Sequence, residues 1–196
     1  MGTQHLLPVW QKLSRGFAYL VRPTYALANV GHPSSFCGVK TNLMDRPACR
    51  IEAASTAHLN ELVRLYIAYR VFYGEAPEQE RAEAFIRDRV TQSSGRYFLA
   101  WNDNSPAIGF MHLMPSTNTL AMRPIWFLED LYVDPPARGQ GVATALLSYA
   151  EEFARSTGAE RLTLATAHDN LAAQHIYKKM GYVREEHFLY FHRLLP

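Results

Sequence analysis

The residues of this chain with the most legible chemistry are Arg138-Gly139-Gln140-Gly141, because of what stands on either side of them. Leu128 to Val133 has the apolar and β-branched content of a buried strand, and Asp134-Pro135-Pro136 stops it, since proline supplies no ladder donor. After Gly141, the apolar positions Val142, Ala145, Leu146, Tyr149, Ala150, Phe153 and Ala154 follow the spacing of a helix with one buried face, and Gly158 is placed to end it. A glycine-rich turn that opens a helix aims free backbone N–H groups, and the positive end of the helix dipole, at one spot. Such a spot binds phosphate. A dinucleotide-binding turn is the rival reading, but it wants glycine where Thr144 stands and an acidic residue at the end of the next strand. Glu160 precedes that strand, which spans Arg161 to Ala165.

The elements that must position this turn can be laid out on both sides of it. Cys49 to Ala53 reads as a first strand, followed by a helix that Ser55 or Thr56 caps, that buries Leu59, Leu62, Val63, Tyr66, Ile67 and Val71, and that ends near Gly74. Its last turns carry Tyr66, Tyr69, Arg70, Phe72, Tyr73 and Glu75, more aromatics than one core face needs, so that some are free to line an acceptor pocket. A second helix spans Pro77 to Val90, with Pro77 at its start. Arg96 to Trp101 and Ile108 to Met114 are two strands joined by a turn-rich loop at 102–106, and Pro115 to Pro124 is a loop leading to the central strand. His112 is expected to pack in or beside the sheet. Beyond the central helix, Arg161 to Ala165 is a strand, Asp169 or Asn170 caps a helix through Met180, and Gly181 closes it with Tyr182 following. Phe188 to Arg193 supplies a final strand. The order predicts an α/β (α+β) fold of one domain, a mixed central sheet flanked by helices.

Composition narrows the function classes. A chain of 196 residues, 48% of them apolar, can bury one good core. No apolar run approaches the roughly 20 residues of a membrane span, so no membrane partner is expected. Cys37 and Cys49 have no metal or redox spacing, which fits a reducing, cytoplasmic compartment and no metal. Residues 1–44 hold four cations and no acid, so the net charge of +2 leaves −2 for residues 45–196 and argues against a nucleic-acid-binding domain. Without sustained periodicity, residues 1–44 read as a dispensable extension first and as a transit segment second.

The pattern Arg138-x-x-Gly141-x-Ala143 after its strand resembles the acyl-CoA signature of the GNAT superfamily of N-acetyltransferases, and Asn170-x-x-Ala173-x-x-Ile176-Tyr177-x-x-Met180-Gly181-Tyr182 resembles that family's distal signature. The similarity spans roughly residues 51–193. It implies a GNAT-like fold over 45–196, acetyl-CoA as co-substrate, and direct attack by an amine without an acyl-enzyme. By position, the amides from Arg138 through Gly139, Gln140, Gly141 and Val142 to Ala143, with the Thr144 hydroxyl, would hold the pyrophosphate, and Arg138 would add charge. Leu131 and Val133 match strand positions that pair with the pantetheine arm where the strand splays from its neighbour, and Asn170 matches a side-chain contact to that arm, with a plain helix cap as an equal reading. Tyr177 matches the tyrosine that protonates the departing thiolate. Glu129 and Asp130 stand where several relatives place a carboxylate base. In a regular strand they point to opposite faces, which favours Glu129 with Leu131, although a bulge could reverse the choice. The acceptor implied is a small amine, by loose likeness of Tyr69 to Tyr73 and Trp126 to Val133 to polyamine, histone and D-amino-acid acetyltransferases. The alternatives are a catalytically silent acyl-CoA-binding regulatory module and a transferase using a longer acyl-CoA. Relatives often pair through sheet edges or C-terminal strands, which makes Phe188 to Phe191 a candidate homodimer edge.

Overall fold

The computed structural model describes residues 49–92, 94–102, 106–191 and 193–195. The expected extension over 1–44 lies outside them, as does the middle of the 102–106 loop. Five strands form one sheet in chain order: β1 (Arg50–Ala53), β2 (Arg96–Trp101), β3 (Ala107–Asn118), β4 (Arg123–Val133) and β5 (Leu162–Leu164). The first four pair antiparallel, and β5 joins β4 in parallel. Four helices flank the sheet: α1 (Leu59–Phe72), α2 (Gln79–Gln92), α3 (Val142–Ser156) and α4 (Leu171–Lys179).

Alternation along β2 shows how one sheet feeds two cores. Tyr97 and Leu99 pack under α1 and α2 with Leu62, Leu65, Ile86 and Phe110, while Phe98 and Ala100 face α3 with Met111, Leu146, Leu147 and Ala150. Helix α3 ends in a Schellman turn, with Gly158 at φ +73° donating to Arg155 O and Ala159 donating to Ala154 O, each at 3.0 Å. Helix α4 ends the same way. There Gly181, at φ +87°, donates to Lys178 O, and Tyr182 N donates to Tyr177 O at 2.9 Å. The Tyr177 and Tyr182 rings meet at 5.9 Å, the apolar contact that accompanies this motif.

Four sequence expectations change. The 115–124 loop is mostly strand: β3 and β4 pair from Pro115↔Trp126 to Asn118↔Arg123, leaving a turn at 119–122. Past Leu113 only β4 lies beside β3, the setting in which a proline costs a sheet least. Helix α2 starts at Gln79 instead of Pro77 because Glu78 takes a left-handed φ of +39°, its carboxylate receiving Arg70 at 2.6 Å and Arg81 at 3.0 Å. Strand β5 is limited to Leu162–Leu164. Phe188 to Phe191 adds no strand; these residues are 63–83% exposed.

Gly95 is a position whose need for glycine only the packing reveals. A Cβ there would strike His112 Nε2 and stand 2.8 Å from the Leu113 carbonyl oxygen and 2.9 Å from Met114 Sδ. Gly95→Ala should therefore cost about 1–3 kcal/mol by overpacking. Chemical denaturation would register this as a lower midpoint with an unchanged slope.

Candidate active site

The anion turn follows from its backbone angles. Gly139 and Gly141 have φ of +74° and +82°, left-handed values open mainly to glycine, and Gly141 is the residue from which α3 departs. No side chain caps that helix. The first of its amides to reach a backbone acceptor is Ala145, bonded to Gly141 O at 2.9 Å, so the amides of Val142, Ala143 and Thr144 precede the ladder and point out of the helix start. Gly139, Gln140, Gly141 and Thr144 are exposed, Val142 is buried in the core, and Ala143 is half-buried. The Arg138 side chain turns back instead of outward: its Nε donates to Val133 O at 3.0 Å, and its guanidinium lies over Phe72 at 5.1 Å and Tyr132 at 5.7 Å. It thereby joins the end of β4 to the end of α1, while the amides remain the turn's own means of holding an anion.

A second opening adjoins the turn. Strands β4 and β5 pair only at Trp126↔Leu162, Phe127↔Thr163 and Leu128↔Leu164, after which β4 runs on alone to Val133. The β5-facing backbone from Glu129 to Val133, including Leu131 and Val133, thus borders a gap between the strands. Tyr177 packs against the α3-side core, yet its electrostatic neighbour is Tyr73 at the end of α1, on the other side of the sheet. The parting of the strands accounts for that proximity. Burial pushes the Tyr177 phenol above its ordinary value, Tyr73 adding to the shift, so Tyr177 stays an O–H donor across the neutral range. Asn170 caps α4, its Oδ1 accepting from Ala173 N and its Nδ2 donating to Thr166 Oγ1, both at 3.2 Å; one amide hydrogen is left over.

The two carboxylates depart from a regular strand. His112 pairs with Asp130 and Leu113 with Leu128, so Glu129 is the extra residue of a β-bulge. Asp130 lies on the α1 side, where His112 Nδ1 is 3.2 Å from Oδ2 and where burial first, and the charge of Asp130 second, push the Tyr69 phenol well above its ordinary value. Leu131 packs on the α3 side. Glu129 has Asp130, His112 and Tyr97 as electrostatic neighbours, and with the bulge between them simple alternation no longer assigns the two acids to opposite faces. Burial first, and the charge of Asp130 second, push the Glu129 carboxyl above the usual carboxylate range, with His112 drawing it back.

The sign of that shift fixes a stability prediction. A carboxyl raised in the folded state favours folding below its unfolded value and loses that contribution as pH climbs through the folded one. Glu129→Gln should therefore melt higher than the parent at about pH 7, each kcal/mol reading as about 2–4 °C. The difference should close towards about pH 4, where both side chains are neutral. Melting curves across that range check it.

Among the described residues, no group of three or more His, Cys, Asp or Glu could hold a metal ion, and no helix is long and apolar enough to cross a membrane. A cavity of about 400 Å³ lies near the far end of α3, lined by Glu151, Arg155, Leu162, Met180 and Tyr182. It touches neither the turn nor the carboxylates. The sequence reading missed the partnership of His112 and Tyr69 with Asp130; the only cue was a lone polar residue in the apolar run of β3, and its partner depends on the bulged register.

Comparison with known proteins gives a concordant result. The profile of the Acetyltransferase (GNAT) family matches residues 59–182. An uncharacterised N-acetyltransferase of Bacillus subtilis (strain 168) is 35% identical over 141 residues, covering 72% of this chain and 94% of the relative. The aminoalkylphosphonate N-acetyltransferase of Salmonella typhimurium is 28% identical over 142 residues, 72% of this chain and 89% of that one. Among solved structures, a probable acetyltransferase superposes with a TM-score of 0.71 at 34% identity, covering 75% of this chain and 98% of the other.

Proposed function

The chain belongs to the acetyltransferase (GNAT) family and is an N-acetyltransferase, and on that premise we propose that it transfers an acetyl group from acetyl-CoA to the primary amine of a small molecule by direct attack in a ternary complex. The observation that carries the reading is the unpaired backbone itself: the helix-start amides at Val142, Ala143 and Thr144 lie beyond the end of a strand whose outer edge is open from Glu129 to Val133. The first set fits a pyrophosphate, and the second fits an extended amide-bearing arm.

When bound, the coenzyme supplies an acetyl thioester to the amine. The chain's residues do the rest. The Arg138 amide already donates to Pro135 O at 3.2 Å, so the amides of 139–143 and the Thr144 hydroxyl hold the phosphates, the open edge around Leu131 and Val133 aligns the arm, and Asn170 offers its remaining amide hydrogen. Glu129 takes the ammonium proton, directly or through water, so that the nitrogen lone pair is free. Tyr177, kept protonated by burial, donates to the sulfur. Holding both substrates together supplies much of the rate. The acceptor is read as a cation, because Asp130 lies within electrostatic reach of Tyr66, Tyr69 and Tyr73, whose ring faces also favour cations. That the similar Salmonella enzyme is named for an aminoalkylphosphonate supports a small amine acceptor.

Calorimetric titration of the full chain with acetyl-CoA, followed by polyamines, amino acids, aminoalkylphosphonates and aminoglycosides, tests this. Saturable binding, then release of free CoA with one of the amines, is expected. Absence of acetyl-CoA binding would overturn the reading at its base.

A further inference from the structure

The bulge leaves two carboxylates side by side in unlike surroundings. Asp130 is engaged: His112 Nδ1 meets its Oδ2 at 3.2 Å, on the side where the buried Tyr69 lies. Among the described residues Glu129, the extra residue, has no such hydrogen bond, only the charge of its neighbours. His112 is itself held tightly. It is 7% exposed, its ring lies flat on Tyr97 with centroids 4.0 Å apart and 3° between planes, and Gly95 closes over Nε2 with no room for a Cβ. Among the described residues Nε2 has no hydrogen-bond partner. A bare lone pair there costs less than an unpaired buried N–H, which assigns the ring proton to Nδ1, facing Asp130.

From these contacts we infer that His112 is a positioning residue: it holds the Asp130 carboxylate in place through Nδ1 and leaves Glu129 as the carboxylate that takes up a proton. The inference rests on the proposed role of Glu129 as base and extends it by dividing the labour of the two acids. Unlike environments are what separate the roles of neighbouring carboxylates. The other groups that face the pair come from three elements. From α1, Tyr66, Tyr69 and Tyr73 face Asp130, and Arg70 acts on Tyr66. From α2, Arg81 acts on Tyr66 and Arg89 on Tyr97; from β2, Tyr97 senses both carboxylates.

Three measurements test it. In the unaltered protein, imidazole nitrogen NMR should show His112 protonated at Nδ1 through the neutral range; a proton resident on Nε2 alone would overturn the inference without any variant. Carboxyl carbon NMR, with Glu129→Gln identifying the resonance, then follows Glu129 in His112→Phe, which keeps the stacking on Tyr97 but removes the donor. Its titration should move to higher pH, and His112→Asn, which restores an N–H towards Asp130, should move it back. Identical Glu129 titrations in the parent and His112→Phe would sink the idea. Finally, the acid limb of the pH–rate profile with an accepted amine should move with Glu129, lowering kcat/KM about tenfold near neutrality in His112→Phe. If the titration moves and the rate profile does not, the positioning role stands and Glu129 is not the base.

Discussion

Replacing Tyr177 with phenylalanine should lower kcat by about 10²-fold or more while leaving acetyl-CoA affinity within about threefold of the parent. The asymmetry follows from where Tyr177 sits. Its ring packs into the α3-side core against Tyr182, and its backbone carbonyl is the acceptor of the Schellman turn that closes α4. Phenylalanine keeps the packing and the turn, so only the hydroxyl is lost. Burial holds that hydroxyl in its protonated form, which makes it a donor and not a base. Steady-state rates beside calorimetric affinities decide the matter: unchanged turnover would remove Tyr177 as the proton donor, and an equal loss in affinity would make it a binding residue.

Thr144→Asp should produce opposite effects on stability and binding. Helix α3 has neither an acidic residue in its first turn nor a side-chain cap, and Thr144 is exposed. An aspartate there complements the helix dipole and should raise stability by about 0.3–1 kcal/mol. The same charge meets the coenzyme phosphates at close range and should weaken acetyl-CoA binding by about 10²-fold or more. A variant that melts no lower than the parent but no longer binds cannot be dismissed as misfolded. Undiminished binding would place the phosphates elsewhere.

What was legible in the sequence, and what was not, divides along a physical line. The central strand, the glycine turn and α3 announce themselves through local signals, namely β-branched content, residues without a Cβ, and helical spacing of apolar positions. The caps at Gly158 and Gly181 were equally local. The hairpin of β3 and β4 was not, because Pro115 and Pro124 read as breakers until the sheet shows that little lies beside that part of β3. The start of α2 was displaced by the left-handed Glu78, whose two arginine partners come from different helices. The expected strand at Phe188 to Phe191 rested on strand propensity, and β5, only three residues long, offers little edge against which that propensity could act. The relation of Asp130 to His112 was illegible for another reason: register is a property of two strands together, and no single stretch encodes it.

The bulge at Glu129 has a wider consequence, because it works as a frame marker in β4. Upstream of it, the positions that face α3 are Trp126 and Leu128; downstream they are Leu131 and Val133, an interval of three where an unbroken strand would keep two. Deleting Glu129 would close the bulge: Leu128 and Asp130 would become neighbours opposite Leu113 and His112, and ordinary alternation would keep Asp130 and Tyr132 towards α1 and Leu131 and Val133 towards α3. Straightening β4 with Glu129 retained is the damaging change, because it would turn everything from Asp130 onward by half a turn and send Asp130 and Tyr132 towards α3. An attempt to transplant this site onto another sheet must therefore carry the bulge along with the side chains.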